Sequence, residues 1–246
     1  MNRTGAIAVT GASRGIGAAI AAALGEGGHL VGCLSRKGEV PAGMDPQLAA
    51  RMLPVRCDVN DEASIRQALA TLAQAAGGVW GMVNNAGIHL HGASEGFTTA
   101  EFDQVMDTNA KAVFIGCREA YPYLTANGGG VVINIGSFFD KLGVKRNVAY
   151  CASKAAVGAI TRCLAVEWAS QGIRVLDVAP GYIVTDLNRA AMEQGPLREY
   201  LEKRIPSGKP GTAADVARLV ATLASQDLEF LSGDTIYIDG AQGIAH

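Results

Sequence analysis

Apolar runs of two kinds alternate along the chain. Short runs rich in β-branched residues fall at 6–10 (AIAVT), 30–35 (LVGCLS), 53–57 (LPVRC), 81–84 (GMVN), 131–136 (VVINIG), 174–179 (RVLDVA) and 235–239 (TIYID). Several of them are apolar at consecutive positions, as a parallel strand covered on both faces requires. Between them lie longer stretches with helical spacing, at 16–24, 61–75, 99–107, 110–124, 148–170 and 213–224. Thr98 with Glu101 has the spacing of a capping box, and Thr212 with Asp215 a weaker version of it. The βαβα alternation predicts one α/β domain over 1–246, doubly wound around a seven-stranded parallel sheet with helices on both faces. Two stretches lack either period: 38–46, and 183–211 with Pro196, Pro206 and Pro210. Long insertions of this kind are commonly lids, and the second is the expected substrate lid.

Composition narrows the setting. With 246 residues and 49% hydrophobic content the chain can bury a large core. A net charge of −2, with lysine and arginine scattered, offers no basic stripe to nucleic acid. There is no signal-like N-terminus and no uncharged apolar run of about 18 residues, so a soluble cytoplasmic protein with no membrane partner is expected. Five cysteines, at 33, 57, 117, 151 and 163, show no metal spacing and are read as reduced structural thiols. His89 and His91 are read as a loop or pocket-rim pair; no metal site is expected.

The turn after the first strand reads TGASRGIG, with Gly11, Gly15 and Gly17 leading into the first helix. Glycine there permits a sharp turn, close approach of a pyrophosphate and tight helix–strand packing, while the helix N-terminus presents free N–H groups. At the end of the second strand, where an acid would bind a ribose 2′-hydroxyl, the chain has Ser35, Arg36 and Lys37. A hydroxyl and a guanidinium suit a 2′-phosphate, and Arg14 in the glycine turn can reach the same group, so NADP(H) is favoured over NAD(H).

Within the apolar helix VAYCASKAAVGAI, Tyr150 and Lys154 stand four apart and share a face. An ammonium about 6 Å from the phenol, at an effective dielectric near 20, favours phenolate by about 3 kcal/mol, or roughly two pKa units. A phenol so tuned is a usable acid and base. Ser137 ends the strand VVINIG at the sheet edge where open α/β folds hold their ligands, placed to hold a substrate oxygen. The bland reading, a capping tyrosine and a snorkelling lysine, stays open for an isolated pair.

As an ordered group these residues resemble the short-chain dehydrogenase/reductase family: TGASRGIG, Asp58 in CDV, NNAG at 84–87, Asn109, Ser137, YCASK, Pro180–Gly181, Thr185 and the final IDG. Within that family the overall resemblance runs to the 3-oxoacyl reductases. It implies a single-domain Rossmann fold with Tyr150 as acid/base, Lys154 on the nicotinamide ribose, Ser137 orienting the carbonyl and Asn109 holding a water of a proton relay. It also implies Gly11, Ser13, Arg14, Gly15, Ile16 and Gly17 around the pyrophosphate, Asp58 and Val59 on adenine, and Asn85, Ala86 and Gly87 along the cofactor. Pro180, Gly181, Ile183 and Thr185 would lie at the carboxamide, and the assembly would be a homotetramer. The long helices 110–124 and 148–170 would pair in it through Ala112, Gly116, Ala156 and Ala159. The chain departs from the family pattern in three places: Phe138-Phe139-Asp140 after Ser137, Asp177 where Asn commonly stands, and IDGA at the end.

The expected activity is NADP-dependent hydride transfer between nicotinamide and a ketone or secondary alcohol. Phe138, Phe139, Leu142, Val144, Tyr182, Leu187 and Met192 are the candidate lining of a pocket for a small cyclic or aromatic ketone. A 3-oxoacyl thioester is the alternative substrate, although the flanks TANGGG and ASQGI lack arginines for an acidic carrier. A silent NADP-binding sensor or scaffold is the remote alternative.

Overall fold

In a computed structural model, which describes residues 4–186, 188–224 and 228–245, the alternating pattern becomes one parallel sheet. Its strands are β1 (Ala6–Thr10), β2 (Leu30–Ser35), β3 (Met52–Arg56), β4 (Val79–Asn84), β5 (Gly130–Ile135), β6 (Ile173–Pro180) and, last in the chain, β9 (Thr235–Ile238). They run in the order β3-β2-β1-β4-β5-β6-β9 with every pair parallel. The strand period of two sorts residues to opposite faces. Ala6 and Ala8 pack with α3 (Glu62–Ala76), α5 (Ala112–Ala126) and α6 (Val148–Trp168), whereas Ile7 and Val9 pack with α1 (Gly15–Glu26) and α9 (Ala213–Ala224).

Both capping boxes form: Thr98 and Glu101 exchange bonds at the start of α4 (Thr99–Met106), and Thr212 and Asp215 do the same at α9. Where the pattern predicts a break near 108–109, the chain instead continues from α4 into α5 through a π-helical turn, Asp107–Lys111. Such turns insert one residue into a helix and often occur at functional sites. Here the turn carries Asn109, which is completely buried.

Of the two aperiodic stretches, only the second is more ordered than expected. The first stays irregular up to the short α2 (Pro46–Ala49), which is capped by Asp45. The second contains α7 (Arg189–Glu193) and α8 (Gly195–Arg204), and its ends are tied together by a parallel pair, β7 (Ile183–Val184) with β8 (Gly211–Thr212). Proline at N1 and N2 positions is compatible with a helix, which is why Pro196 starts α8 instead of breaking it. Leu187, expected in the substrate pocket, lies outside the described residues.

The small residues expected to pair the long helices divide. Ala112 and Gly116 face the core, and a Cβ at Gly116 would sit 2.3 Å from Asn84 Oδ1. Only Ala159 is exposed, with Ala156 half-buried, so α6 and not α5 carries an outward small-residue face, Ala152, Ala155 and Ala159. Cys33, Cys57 and Cys117 are buried, and burial pushes the Cys33 thiol up to about 11 and the Cys117 thiol up to about 12. Among the described residues no helix is long and apolar enough to cross a membrane.

Candidate active site

The chain leaves β1 on one side toward β2 and β3 and returns to β4 on the other, so a crevice opens at the C-terminal ends of β1 and β4. Thr10 and Asn85 lock its floor. Thr10 Oγ1 accepts from the N–H groups of Asn85 and Ala86 at 3.0 and 3.1 Å, and Asn85 Nδ2 donates to the Thr10 carbonyl at 2.9 Å. Gly11 (φ +66°) and Gly15 (φ +57°) take the left-handed backbone conformation that glycine tolerates best. A Cβ at Gly17 would sit 2.3 Å from the Gly11 carbonyl oxygen, so only glycine lets α1 approach the turn. Gly17→Ala is expected to lose about 1–3 kcal/mol, lowering the melting temperature by about 2–12 °C. An unchanged thermal melt would show that the turn relaxes freely.

A cleft of about 430 Å³ runs along this edge. Its lining includes Gly11, Ser13, Arg14, Gly15, Ile16 and Gly17 from the turn, Ser35 and Arg36 after β2, and Asp58 and Val59 after β3. Asn85, Ala86, Gly87 and Thr185 line it as well. A Cβ on Gly15 would meet Thr185 across the cleft at 3.7 Å, so the glycine keeps this space open. Ser35 is buried and its Oγ accepts from the Gly38 N–H at 3.1 Å, which leaves its O–H free to donate, while Arg36 is exposed beside it. Pro180, Gly181 and Ile183 do not line this cleft. Pro180 ends β6, Gly181 packs so tightly on Asp239 that a Cβ would lie 2.8 Å from its Cα, and Ile183 is buried in β7.

Tyr150 lies in the first turn of α6, and Ser137 at the end of β5 faces it, near enough for its hydroxyl to favour the ionised phenol. Lys154 is one turn further on, with Nζ 5.7 Å from the Tyr150 ring centre and donating to the Ile135 carbonyl at 2.7 Å. The expected electrostatics need correcting. Burial raises the Tyr150 pKa, and the Ser137 hydroxyl only partly opposes it. Lys154, just 5% exposed, is itself pulled down to about 8 by burial. In the protein alone, desolvation dominates at Tyr150 and favours the neutral phenol over the phenolate.

Asn109 has a scaffolding role that its sequence position does not reveal. Its Oδ1 accepts from the Ile88 N–H at 2.8 Å, while Nδ2 donates to the Ile88 carbonyl at 2.8 Å and to Ser153 Oγ at 3.2 Å. Ser153 in turn donates to the Tyr150 carbonyl at 2.8 Å. Both amide protons are thereby committed, and a relay water can use only the remaining lone pair of Oδ1.

Around Tyr150 the walls are aromatic. Phe139 meets it edge-on at 6.0 Å, Phe138 packs on Phe139 at 4.8 Å, and Tyr182 lies 5.6 Å from Phe138. His89, read as a rim residue, stacks on Tyr150 at 4.5 Å and bonds Asn147 through Nε2; its ring is 6.0 Å from that of His91. The contact is long-range, between the loop after β4 and the start of α6. Leu142 and Val144 are half-buried in the segment leading to α6. Met192 lines an adjoining cavity of about 650 Å³ between α1, α7, α8 and the start of α9, which shares Ser13, Arg14, Gly15 and Thr185 with the glycine-lined cleft. α7 thus carries Met192 toward the glycine turn.

A doubly wound sheet with a glycine turn at its switch point, and a serine, tyrosine and lysine converging at the neighbouring strand end, define a Rossmann-type oxidoreductase. Residues 11–241 match the family described as enoyl-(acyl carrier protein) reductase. The 2-(R)-hydroxypropyl-CoM dehydrogenase of Xanthobacter autotrophicus (strain ATCC BAA-1158 / Py2) is 37% identical over 240 residues, covering 95% of this chain and 96% of that protein. The 3-oxoacyl-[acyl-carrier-protein] reductase MabA of Mycobacterium bovis is 34% identical, covering 98% and 93%. Among solved structures, a gluconate 5-dehydrogenase from Burkholderia cenocepacia J2315 in complex with NADP and tartrate superposes with a TM-score of 0.91 at 30% identity, covering 98% and 95%. The chain belongs to the short-chain dehydrogenase/reductase family and is an oxidoreductase of the alcohol–carbonyl type.

Proposed function

We propose that this enzyme uses NADP(H) to interconvert a small ketone, cyclic or aromatic, and its secondary alcohol. The observation that carries this reading is the convergence of Ser137, Tyr150 and Lys154 beside the glycine-lined cleft. The cleft fits the coenzyme: glycines keep its floor open, and Arg14, Ser35 and Arg36 suit a 2′-phosphate. When bound, the coenzyme supplies or accepts hydride at its nicotinamide.

In the reducing direction the Ser137 and Tyr150 hydroxyls donate hydrogen bonds to the carbonyl oxygen and orient it. Tyr150 then transfers its proton to that oxygen as the carbon gains hydride. The Lys154 ammonium stabilises the phenolate left behind, and its Ile135 tether fixes its position. Ser153 and Asn109 hold the backbone of Tyr150 in register with the loop at Ile88. Phe138, Phe139 and Tyr182 exclude water from the reacting oxygen.

An apolar aromatic wall beside Tyr150 favours a compact free ketone, while the MabA relative favours a 3-oxoacyl thioester. Initial rates of NADPH oxidation with a ketone panel test the reading. In competition at equal concentration the free ketone is expected to show the higher kcat/KM, and a clear preference for the carrier-bound 3-oxoacyl group would overturn the choice. Assembly as a cytoplasmic homotetramer through the outward face of α6 belongs to the same proposal, and light scattering decides the oligomeric state.

A further inference from the structure

Asp177, the departure from the family pattern on β6, is completely buried. Its Oδ2 accepts from Thr235 Oγ1 at 3.1 Å, while Oδ1 has no hydrogen-bond partner among the described residues. A buried carboxylate left half satisfied costs stability, so its presence asks for another reason. The position supplies one. A Cβ at Gly136 would lie 2.5 and 2.7 Å from the two carboxylate oxygens, and the preceding carbonyl, of Ile135, accepts from Lys154 Nζ at 2.7 Å. The Ile135–Gly136 peptide is therefore flanked by the ammonium and the carboxylate.

We propose that Asp177 is the buried counter-ion of Lys154, a positioning residue that keeps the ammonium charged beside Tyr150. It touches no reacting atom and acts through Lys154. Burial pulls Lys154 down, and the attraction of Asp177 is the force that opposes it. Reciprocally, burial raises Asp177 and Lys154 opposes the rise, leaving it at about 6. Other groups face the carboxylate as well. Arg162 on α6 approaches it across Gly158, Asp140 after β5 repels it, and Tyr237 and Asp234 flank Thr235 at β9. Tyr237 donates to Asp140 Oδ2 at 2.8 Å, and Lys141 sits over the Tyr237 ring. Lys154 is the cation that acts on Asp177 most strongly, which makes the coupling specific to the catalytic lysine.

The consequence for the proposed reaction is a pH window. Charged Lys154 persists up to about pH 8, and removing its counter-ion moves that limit to lower pH. Asp177→Asn keeps the shape and an acceptor for Thr235 while removing the charge. The test is a titration of ε-13C-lysine-labelled protein by NMR, the Lys154 signal being assigned by its loss in Lys154→Arg. The Lys154 midpoint is expected to fall by about one unit or more in Asp177→Asn. The alkaline limb of kcat/KM for ketone reduction should move in the same direction. An unchanged Lys154 midpoint in a variant that melts normally would overturn the proposal. Should Asp177→Asn fail to fold, Lys154→Met reads the same coupling in reverse. The Asp177 carboxyl 13C signal should then titrate above its wild-type midpoint, and an unmoved midpoint overturns the proposal equally. The inference rests on the proposed role of Lys154 only for its effect on the rate. The NMR titration needs no substrate, so an enzyme inert toward every ketone would defeat the functional reading and leave the counter-ion pairing to be decided by Lys154 itself.

Discussion

Tyr150→Phe is expected to lower turnover by about 10²–10⁴, the usual worth of a general acid, while leaving coenzyme affinity nearly intact. The phenyl ring keeps its packing on His89 and Phe139, so the variant removes only the hydroxyl that meets Ser137. The residues proposed to hold the coenzyme's phosphates and adenine, Gly15, Arg36 and Asp58 among them, belong to the separate glycine-lined cleft. Fluorescence titration with NADPH should therefore give similar affinities for the two proteins. The raised Tyr150 pKa adds a sign. Burial favours the neutral phenol, so ketone reduction should hold steady through neutral pH and decline only on the alkaline side, whereas alcohol oxidation should rise with pH. Near-normal turnover of the Phe variant would refute Tyr150 as the proton donor.

The second large effect concerns coenzyme choice. Wild type is expected to prefer NADPH over NADH by roughly 10- to 100-fold in kcat/KM, since each charge-assisted hydrogen bond to the 2′-phosphate contributes about 1.5–3 kcal/mol and exposure weakens it. Arg36 stands at the exposed rim, so part of the preference is screened attraction and should shrink as salt rises. Ser35→Asp together with Arg36→Leu should invert the preference. An aspartate at 35 can still accept from the Gly38 N–H as the serine does, supplies an acceptor for a free 2′-hydroxyl and repels a phosphate. Initial rates with both coenzymes, for both proteins and at two salt concentrations, settle the matter. A wild type that uses NADH as readily as NADPH would reduce Arg36 to a solvated turn residue.

Much of this could be read before folding because it is local. The parallel sheet follows from apolar runs such as AIAVT and VVINIG, whose residues sort by a period of two. The glycine turn follows from backbone angles that few other residues adopt, and Tyr150 and Lys154 share a face because α6 repeats every 3.6 residues. Even the boundaries of the 183–211 insertion were marked by a loss of period, although one of its two helices was hidden by Pro196, placed where a helix can begin.

Other features depend on residues far apart in the chain, and only the tertiary structure decided them. His89 reaches Tyr150 across 61 positions, Asn109 clamps Ile88 and Ser153, and Met192 shares a cavity with the glycine turn. The electrostatics changed most. From spacing alone the ammonium of Lys154 should have drawn the phenol toward phenolate, but both groups are desolvated when α6 closes on β5, and the charged forms of both lose. Asp177 likewise reads as one polar letter in an apolar strand until Gly136 and Lys154 are brought beside it. The sequence by itself singled out the groups proposed to do the chemistry, because spacing along a helix or a turn is a local matter. Their protonation and their walls were decided by burial and by long-range contacts, which exist only once the chain has closed around them.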